Sequence, residues 1–379
     1  MNRTDRCRIE VNISQLRENY RILREMLVPP CQIIGVVKSN AYGLGAVQIA
    51  RELQELGCSL LAAADLREAA ELRDGGVTVP LLLLGPIEGE QAASACEMDV
   101  AVPVVSAEHA VRLERAAASL GRTLKVHVKI DSGLSRFGIP IAGRENEAIG
   151  EVIRAASQEH LCCMGLMTHI SGVTEKEKDY LNVQQLERFR LFGQRLEQAG
   201  YPMKMHCESS LLYLSHPEYE MDYVRLTSAI LGIQPGYEQT GVEPIASLKT
   251  KLLQIKSIPK GAGIGYWMTY LAPRDMRIGI AGIGYGDGLI RSLCGGAEML
   301  VRGKRVPVVG KLSMNSCVLD LTDVPECAEG DTVTVIGRDG EEEVTVHEYA
   351  ARYGGHPCEV ICMLRESIPK VYFTESPSP

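Results

Sequence analysis

The sequence predicts an α/β protein: an N-terminal (β/α)8 barrel of the TIM type over residues 8–240, then a mostly β C-terminal domain over residues 241–374. Two observations carry this. Between about residues 30 and 235, short apolar runs alternate with amphipathic helical patterns, and strand–helix alternation means a parallel sheet. After about residue 240 the helical patterns give way to strand-like runs separated by turn signals, with a boundary around residues 236–244. Eight strand–helix units over roughly 200 residues fit a closed barrel. A doubly wound sheet is the alternative, and the lack of a dinucleotide fingerprint after the first strand argues against it.

The eight barrel runs are 32–37, 59–64, 80–84, 100–105, 124–130, 164–169, 203–208 and 223–226. Stretches at 47–56, 107–118 and 183–199 place apolar residues at helical spacing between them. In the second domain, 253–258, 276–282, 299–309, 312–321 and 332–336 read as strands. Asp339-Gly340, between TVTVIG and EEVTV, signals a tight hairpin. Aromatics make up only 5%, so the core must be mostly aliphatic. The Pro/Ser tail, 375–379, reads as disordered.

The formal net charge of −8 argues against nucleic-acid or anionic-membrane partners. None of the 12 cysteines forms a CxxC or Cys/His cluster with metal-ligand spacing, so no metal is expected. The polar opening leads into strand-like CRIEVNI rather than an export signal, and free thiols suit the cytoplasm. No apolar run is long enough to span a bilayer.

In a (β/α)8 barrel, chemistry sits at the C-terminal ends of the strands. Lys38, Lys129, Arg136, His169, Ser209, Ser210 and Arg225 fall there. Lys38 directly follows the apolar run Ile33 to Val37 and precedes a Gly-rich turn. A partly desolvated amine loses its proton readily and becomes a nucleophile suited to a Schiff base with an aldehyde cofactor. The plainer reading is a snorkelling lysine at a strand end. The others have plain readings too: a Lys129–Asp131 pair on a solvated turn, a satisfied core histidine at His169, a surface ion pair between Arg225 and Asp222. Backbone amides of Thr227 and Ser228, at a turn before a helix, could bind phosphate.

The segment VVKSNAYGLG closely resembles the pyridoxal-phosphate (PLP) signature of the alanine racemase family, VVKxNAYGxG. The resemblance spans residues 8–373 and implies that Lys38 carries PLP covalently, with Tyr42 bonded to the phosphate. KIDSGLSRFG resembles K-x-D-T/S-G-x-x-R-x-G. There Arg136 would contact the cofactor's phenolic oxygen and the substrate carboxylate, and Lys129, often carbamylated in the family, would hold that arginine. Gly165 to His169 resembles G-x-x-T-H, placing His169 against the PLP ring; the family's following T/A-D-E is absent. HCESS resembles H-x-x-N-S, making Ser210 a phosphate ligand, with Ser209 in place of asparagine. VRLT resembles V-R-x-G, so Arg225 would face the pyridine nitrogen and keep it neutral, which weakens PLP as an electron sink.

GIGYWMTY resembles V-S/G-Y-G-x-x-Y and puts Tyr266 on the family's second base. Racemisation is simplest with two bases on opposite faces of a planar intermediate, here Lys38 and Tyr266. A tyrosine with pKa near ~10 needs cationic or histidine neighbours to act as a base, and His169 and Arg225 are candidates. In the family this tyrosine comes from the partner subunit, which implies an obligate homodimer, with Met314 also contributed across the interface. GYGDG and VGKLSMN resemble G-Y-A-D-G and V-G-R-x-x-M-D. They place Tyr285 at the substrate entrance, the Met314 amide on the substrate carboxylate, and Asn315 in place of an aspartate. Glu366 stands where a phosphate-contacting tyrosine is usual.

The expected function is PLP-dependent racemisation of alanine, one source of D-alanine for peptidoglycan; catabolic and resistance roles stay open. Glu366 and Asn315 make serine, then a basic amino acid, the alternatives. A PLP aldolase or a non-catalytic PLP carrier is a further one, opposed by the second domain and its motifs.

Overall fold

The computed structural model describes residues 6–293 and 295–374. It opens with strand β1 (Cys7–Asn12), which leads straight into helix α1 (Ile13–Glu25). Asn12 ends the strand and caps the helix, its side chain accepting the Gln15 amide at 3.0 Å. The barrel follows as β2 (Gln32–Val36), β3 (Leu60–Ala63), β4 (Leu81–Leu83), β5 (Val100–Val104), β6 (Leu124–Asp131), β7 (Leu161–Met167), β8 (Met205–Ser209) and β9 (Tyr223–Leu226). These parallel strands run in the order β5-β4-β3-β2-β9-β8-β7-β6, and β5 pairs with β6 to close the ring. All eight expected runs are strands.

Both faces of β3, β4 and β5 are buried, so their sequences are continuously apolar. Inside the ring Ile34, Val36, Leu60, Ala62, Leu82, Ala101 and Met167 form an apolar cluster separate from the main core. On β6, Val126, Val128 and Ile130 join the outer core. Alternation turns His127 and Lys129 to the opposite face, and both are buried. Gly165 on β7, paired with His127, makes room for that ring: a Cβ there would sit 3.1 Å from His127 Nδ1 and 2.6 Å from the Lys204 carbonyl.

The second sheet contains β10 (Ala246–Ile258), β11 (Met276–Ala281), β12 (Glu298–Val301), β13 (Lys304–Val309), β14 (Cys317–Asp320), β15 (Thr332–Asp339), β16 (Glu342–Val344) and β17 (Lys370–Phe373). Its order is β16-β15-β12-β13-β14-β11-β10-β1-β17, with β10 also paired to β15. The N-terminal strand therefore departs from the expected division. Residues 7–12 pair antiparallel with β10 and parallel with β17, so they complete the second sheet rather than the barrel.

Two further expectations need correction. The run 299–309 is not one strand but a hairpin, reversing at Arg302 and Gly303 with φ of 52° and 71°. Of 312–321, only Cys317–Asp320 is strand, and the residues before it form a loop. The expected hairpin at Asp339-Gly340 is present: Asp339 pairs with Glu342 across a two-residue turn. The 375–379 tail lies outside the described residues. Among the described residues, no helix is long and apolar enough to cross a membrane.

Candidate active site

A cavity of ≈ 700 Å3 opens at the C-terminal ends of the barrel strands. Lys38, Tyr42, Lys129, Arg136, His169, Ser210, Arg225, Thr227 and Ser228 all line it, and Ser209 with them. Separate strands thus deliver these residues to one rim. No Asp or Glu is among its described lining residues.

Lys38 does not sit before an ordinary glycine turn. Ser39 to Tyr42 form a left-handed turn, with φ of 54°, 54°, 50° and 58°, a conformation that costs non-glycine residues roughly 1–2 kcal/mol each. Polar groups hold it. The buried Glu68 carboxylate accepts the amides of Ser39 (2.6 Å) and Ala64 (2.8 Å), and the Asn40 side chain accepts the Ala46 amide at 2.8 Å. Burial lowers the Lys38 pKa, and the nearby cations Arg136 and Arg225 add to the effect.

Arg225 is 7% exposed and makes no surface ion pair with Asp222, whose side chain instead accepts the Met205 amide. Its guanidinium donates to the carbonyls of His206, Cys207 and Thr168 at 2.8–3.0 Å, to His206 Nδ1 at 2.8 Å and to His169 Nδ1 at 3.2 Å. Because arginine only donates, both Nδ1 atoms must accept, so His206 carries its proton on Nε2. That proton is donated to His127 Nδ1 at 3.1 Å. Burial, reinforced by the Arg225 charge, pushes His169 down to about 3 and His127 to about 4 and holds His206 well below its usual value. The three rings are neutral, and these bonds fix Arg225 in the cavity lining.

Ser210 Oγ accepts the amides of Thr227 and Ala229, each at 3.2 Å, gathering polar groups from β8 and β9 at one edge. The expected helix after Thr227 is absent; Leu231 N–H to Thr227 O, at 2.9 Å, marks a single turn. Tyr42 reaches the same edge, its phenol pushed up to about 12 by burial.

Lys129 donates to the Leu84 carbonyl at 2.8 Å and lies 5.5 Å from the Phe137 ring centre. Asp131 is not its partner; that side chain accepts the amides of Gly133 and Ser135. Burial, with Arg225, Arg136 and Lys38 nearby, pushes Lys129 down to about 7.

The residues expected from the second domain lie elsewhere. Tyr266, Tyr285, Met314 and Asn315 are exposed on that domain and do not line the cavity. Their loops are tied together: Tyr285 N–H bonds Ser313 O at 3.1 Å, and Gly286 N–H bonds Met314 O at 2.7 Å. Gly284 permits that approach, since a Cβ there would fall 2.2 Å from Ser313 O. Within one chain, then, Tyr266 does not meet His169 or Arg225. Glu366 is also exposed and outside the cavity lining, its carboxylate accepting from Asn40 at 3.3 Å.

Family models for the N-terminal and C-terminal domains of alanine racemase match residues 11–235 and 245–372. An alanine racemase of Methanococcus maripaludis is 33% identical over 370 residues, covering 96% of this chain and 97% of its own. The solved alanine racemase of Clostridium difficile 630 has a TM-score of 0.91 at 29% identity, covering 98% and 97% of the two chains. That of Bacillus anthracis, solved with bound L-Ala-P, has a TM-score of 0.89 at 32% identity, covering 98% and 96%. The chain belongs to the alanine racemase family.

Within this alanine racemase fold, sequence reasoning missed four contributors. Glu68 carries no motif, and only its place in the helix Leu66–Asp74, after β3, brings it to the Lys38 turn. His127 and His206 were legible as polar residues alternating with apolar ones on strands, a sign of an inward-facing polar layer. Glu208 sits at a register shift between β8 and β9. It is fully buried, both its carboxyl oxygens lack a hydrogen-bond partner among the described residues, and burial pushes it up to about 8.

Proposed function

We propose that this chain is a cytoplasmic, PLP-dependent alanine racemase acting as a homodimer. The carrying observation is a desolvated Lys38 amine in a cavity that also holds Lys129, Arg136 and Arg225 but no carboxylate among its described lining residues. That donor set fits a phosphorylated aldehyde: a nucleophilic amine for the aldehyde, and cations and polar hydrogens for the phosphate.

When bound, PLP supplies an electron sink that acidifies the substrate Cα–H. Lys38 would hold it, with Tyr42, Ser210 and the amides of Thr227 and Ser228 on its phosphate. Arg225 would face the ring nitrogen, where a donor-only guanidinium disfavours protonation. His169 would pack on the ring, and Arg136 would draw the substrate carboxylate. The Lys38 amine, its pKa lowered by burial, takes or returns the Cα proton on one face. The Tyr266 hydroxyl of a second copy serves the other, beside Tyr285, Asn315 and the Met314 amide of that copy. Exposed Tyr266 (56%), Met268 (68%) and Met314 (56%) support a second copy covering this face. Lys129, pushed down to about 7 by burial, would add as the neutral amine to carbon dioxide with loss of one proton, giving a carbamate whose charge suits Arg136.

Glu366 lies outside the cavity lining, which removes the main argument for serine or a basic substrate. The test is chiral chromatography of L-alanine, L-serine and L-lysine after incubation with PLP-loaded protein. D-alanine should form fastest, and Lys38→Ala should abolish it. No D-enantiomer from any of the three overturns the racemase reading.

A further inference from the structure

The single tryptophan of the chain, Trp267, directly follows Tyr266 and is 73% exposed. Its backbone lies at φ 62°, ψ 12°, the left-handed region that favours glycine. A large side chain held in that conformation needs its surroundings to fix it. Two cations lie over its ring: Lys311 Nζ at 3.9 Å from the centroid, and the Arg291 guanidinium carbon at 5.3 Å. Arg291 is also 5.8 Å from the Tyr285 ring centre. Neither cation makes an ion pair among the described residues. The electron-rich indole face attracts both cations. The result is a stiff aromatic and cationic ledge beside Tyr266 and Tyr285.

We propose that Trp267 is a specificity-determining residue. Seated across the dimer from the barrel cavity of the second copy, the indole narrows the mouth to side chains near alanine in size. Arg291 and Lys311, held on it, draw the carboxylate of an incoming small amino acid. This rests on the reading above that Tyr266 works on the second copy's cavity. The bulk of an indole is the physical reason: with glycine at this position the mouth would open by the volume of a whole aromatic side chain.

The experiment compares kcat/KM for L-alanine, L-serine and L-methionine in the PLP-loaded parent, Trp267→Gly and Trp267→Phe. Glycine suits the left-handed backbone, so the variant should fold. Trp267→Gly should raise the methionine-to-alanine ratio by roughly tenfold or more, and Trp267→Phe should keep most of the discrimination. A Trp267→Gly ratio within about twofold of the parent, in protein that still sediments as a dimer, overturns this proposal alone. The lone tryptophan also reports the arrangement it depends on. Its emission should shift to shorter wavelength as dilute protein associates. A parent that stays monomeric at full activity, with unchanged solvent-like emission, overturns the two-copy reading and this proposal with it.

Discussion

Glu68 never meets the cavity, yet its loss should loosen the catalytic lysine. Its carboxylate accepts two amides, from Ser39 at 2.6 Å and Ala64 at 2.8 Å, and is itself buried. Hydrogen bonds to a charged acceptor contribute about 1.5–3 kcal/mol each, so the pair contributes roughly 3–6 kcal/mol. Opposing it are four left-handed residues, Ser39 to Tyr42, at roughly 1–2 kcal/mol apiece. The two quantities are similar, so the turn is held with little to spare. Glu68→Ala removes both acceptors and strands the amides. Taking the low end, about 3 kcal/mol, local opening of the segment becomes more frequent by on the order of 100-fold. Hydrogen exchange by mass spectrometry on peptides spanning residues 38–46 should show that increase, while peptides from the second sheet stay unchanged. Weaker PLP binding in an absorbance titration should accompany it. Exchange in this segment within about threefold of the parent would refute the reasoning, because the turn would then be held by its own backbone bonds.

Tyr266→Phe should abolish solvent deuterium exchange from one alanine enantiomer while leaving PLP absorbance intact; equal loss from both would sink the two-base assignment. Lys129 is pushed down to about 7 in the folded chain, against ~10.4 unfolded. The unfolded chain binds more protons across that window, so stability should rise from about pH 7 to 10 in CO2-free buffer, and Lys129→Met should flatten the rise in denaturant midpoints. Glu208 has the opposite sign. Burial and then Glu220 push it up to about 8, so the folded chain binds more protons and stability falls as pH climbs from about 4 to 8. Glu208→Gln should remove that fall and leave a protein more stable than the parent at pH 9. A variant that is less stable there would mean the acid has a partner that Gln cannot replace.

The first half of the barrel was legible because β3, β4 and β5 are buried on both faces and spell continuous apolar runs between helical patterns. Runs such as 80–84 and 100–105 carry that signal without any tertiary knowledge. The second sheet was less legible. Met299–Val309 reads as one strand because Arg302-Gly303 is a two-residue reversal inside an otherwise β-prone run. Cys7–Asn12 falls by position at the start of the 8–240 barrel domain, but its partners, β10 and β17, lie more than two hundred residues away. Local pattern carries no information about that pairing. At the site, the motifs marked the residues on the rim but not what fixes them. Directly after Lys38 only Asn40 favours a left-handed conformation, while Ser39, Ala41 and Tyr42 do not, so the sequence does not signal a run of four.

The cavity's charge balance leads to a last expectation. Four cationic side chains converge on a space with no carboxylate among its described lining residues, and the two most buried, Lys129 and Arg225, are both pushed down by desolvation. Without an anion this arrangement destabilises the fold, since Lys38, Lys129 and Arg225 are desolvated and nearby cations oppose each charge. An anion that binds only the folded chain stabilises it by mass action, about 2.7 kcal/mol at one hundred times its dissociation constant. Inorganic phosphate should therefore raise the Tm of PLP-free protein more than chloride does at matched ionic strength. Ser210→Ala should shrink the gap, because Ser210 organises the Thr227 and Ala229 amides at the cavity edge. Equal effects of the two salts would mean that the cations are screened by solvent in the open cavity. The charge argument for a phosphorylated cofactor would then fail, even with the fold and the lysine in place.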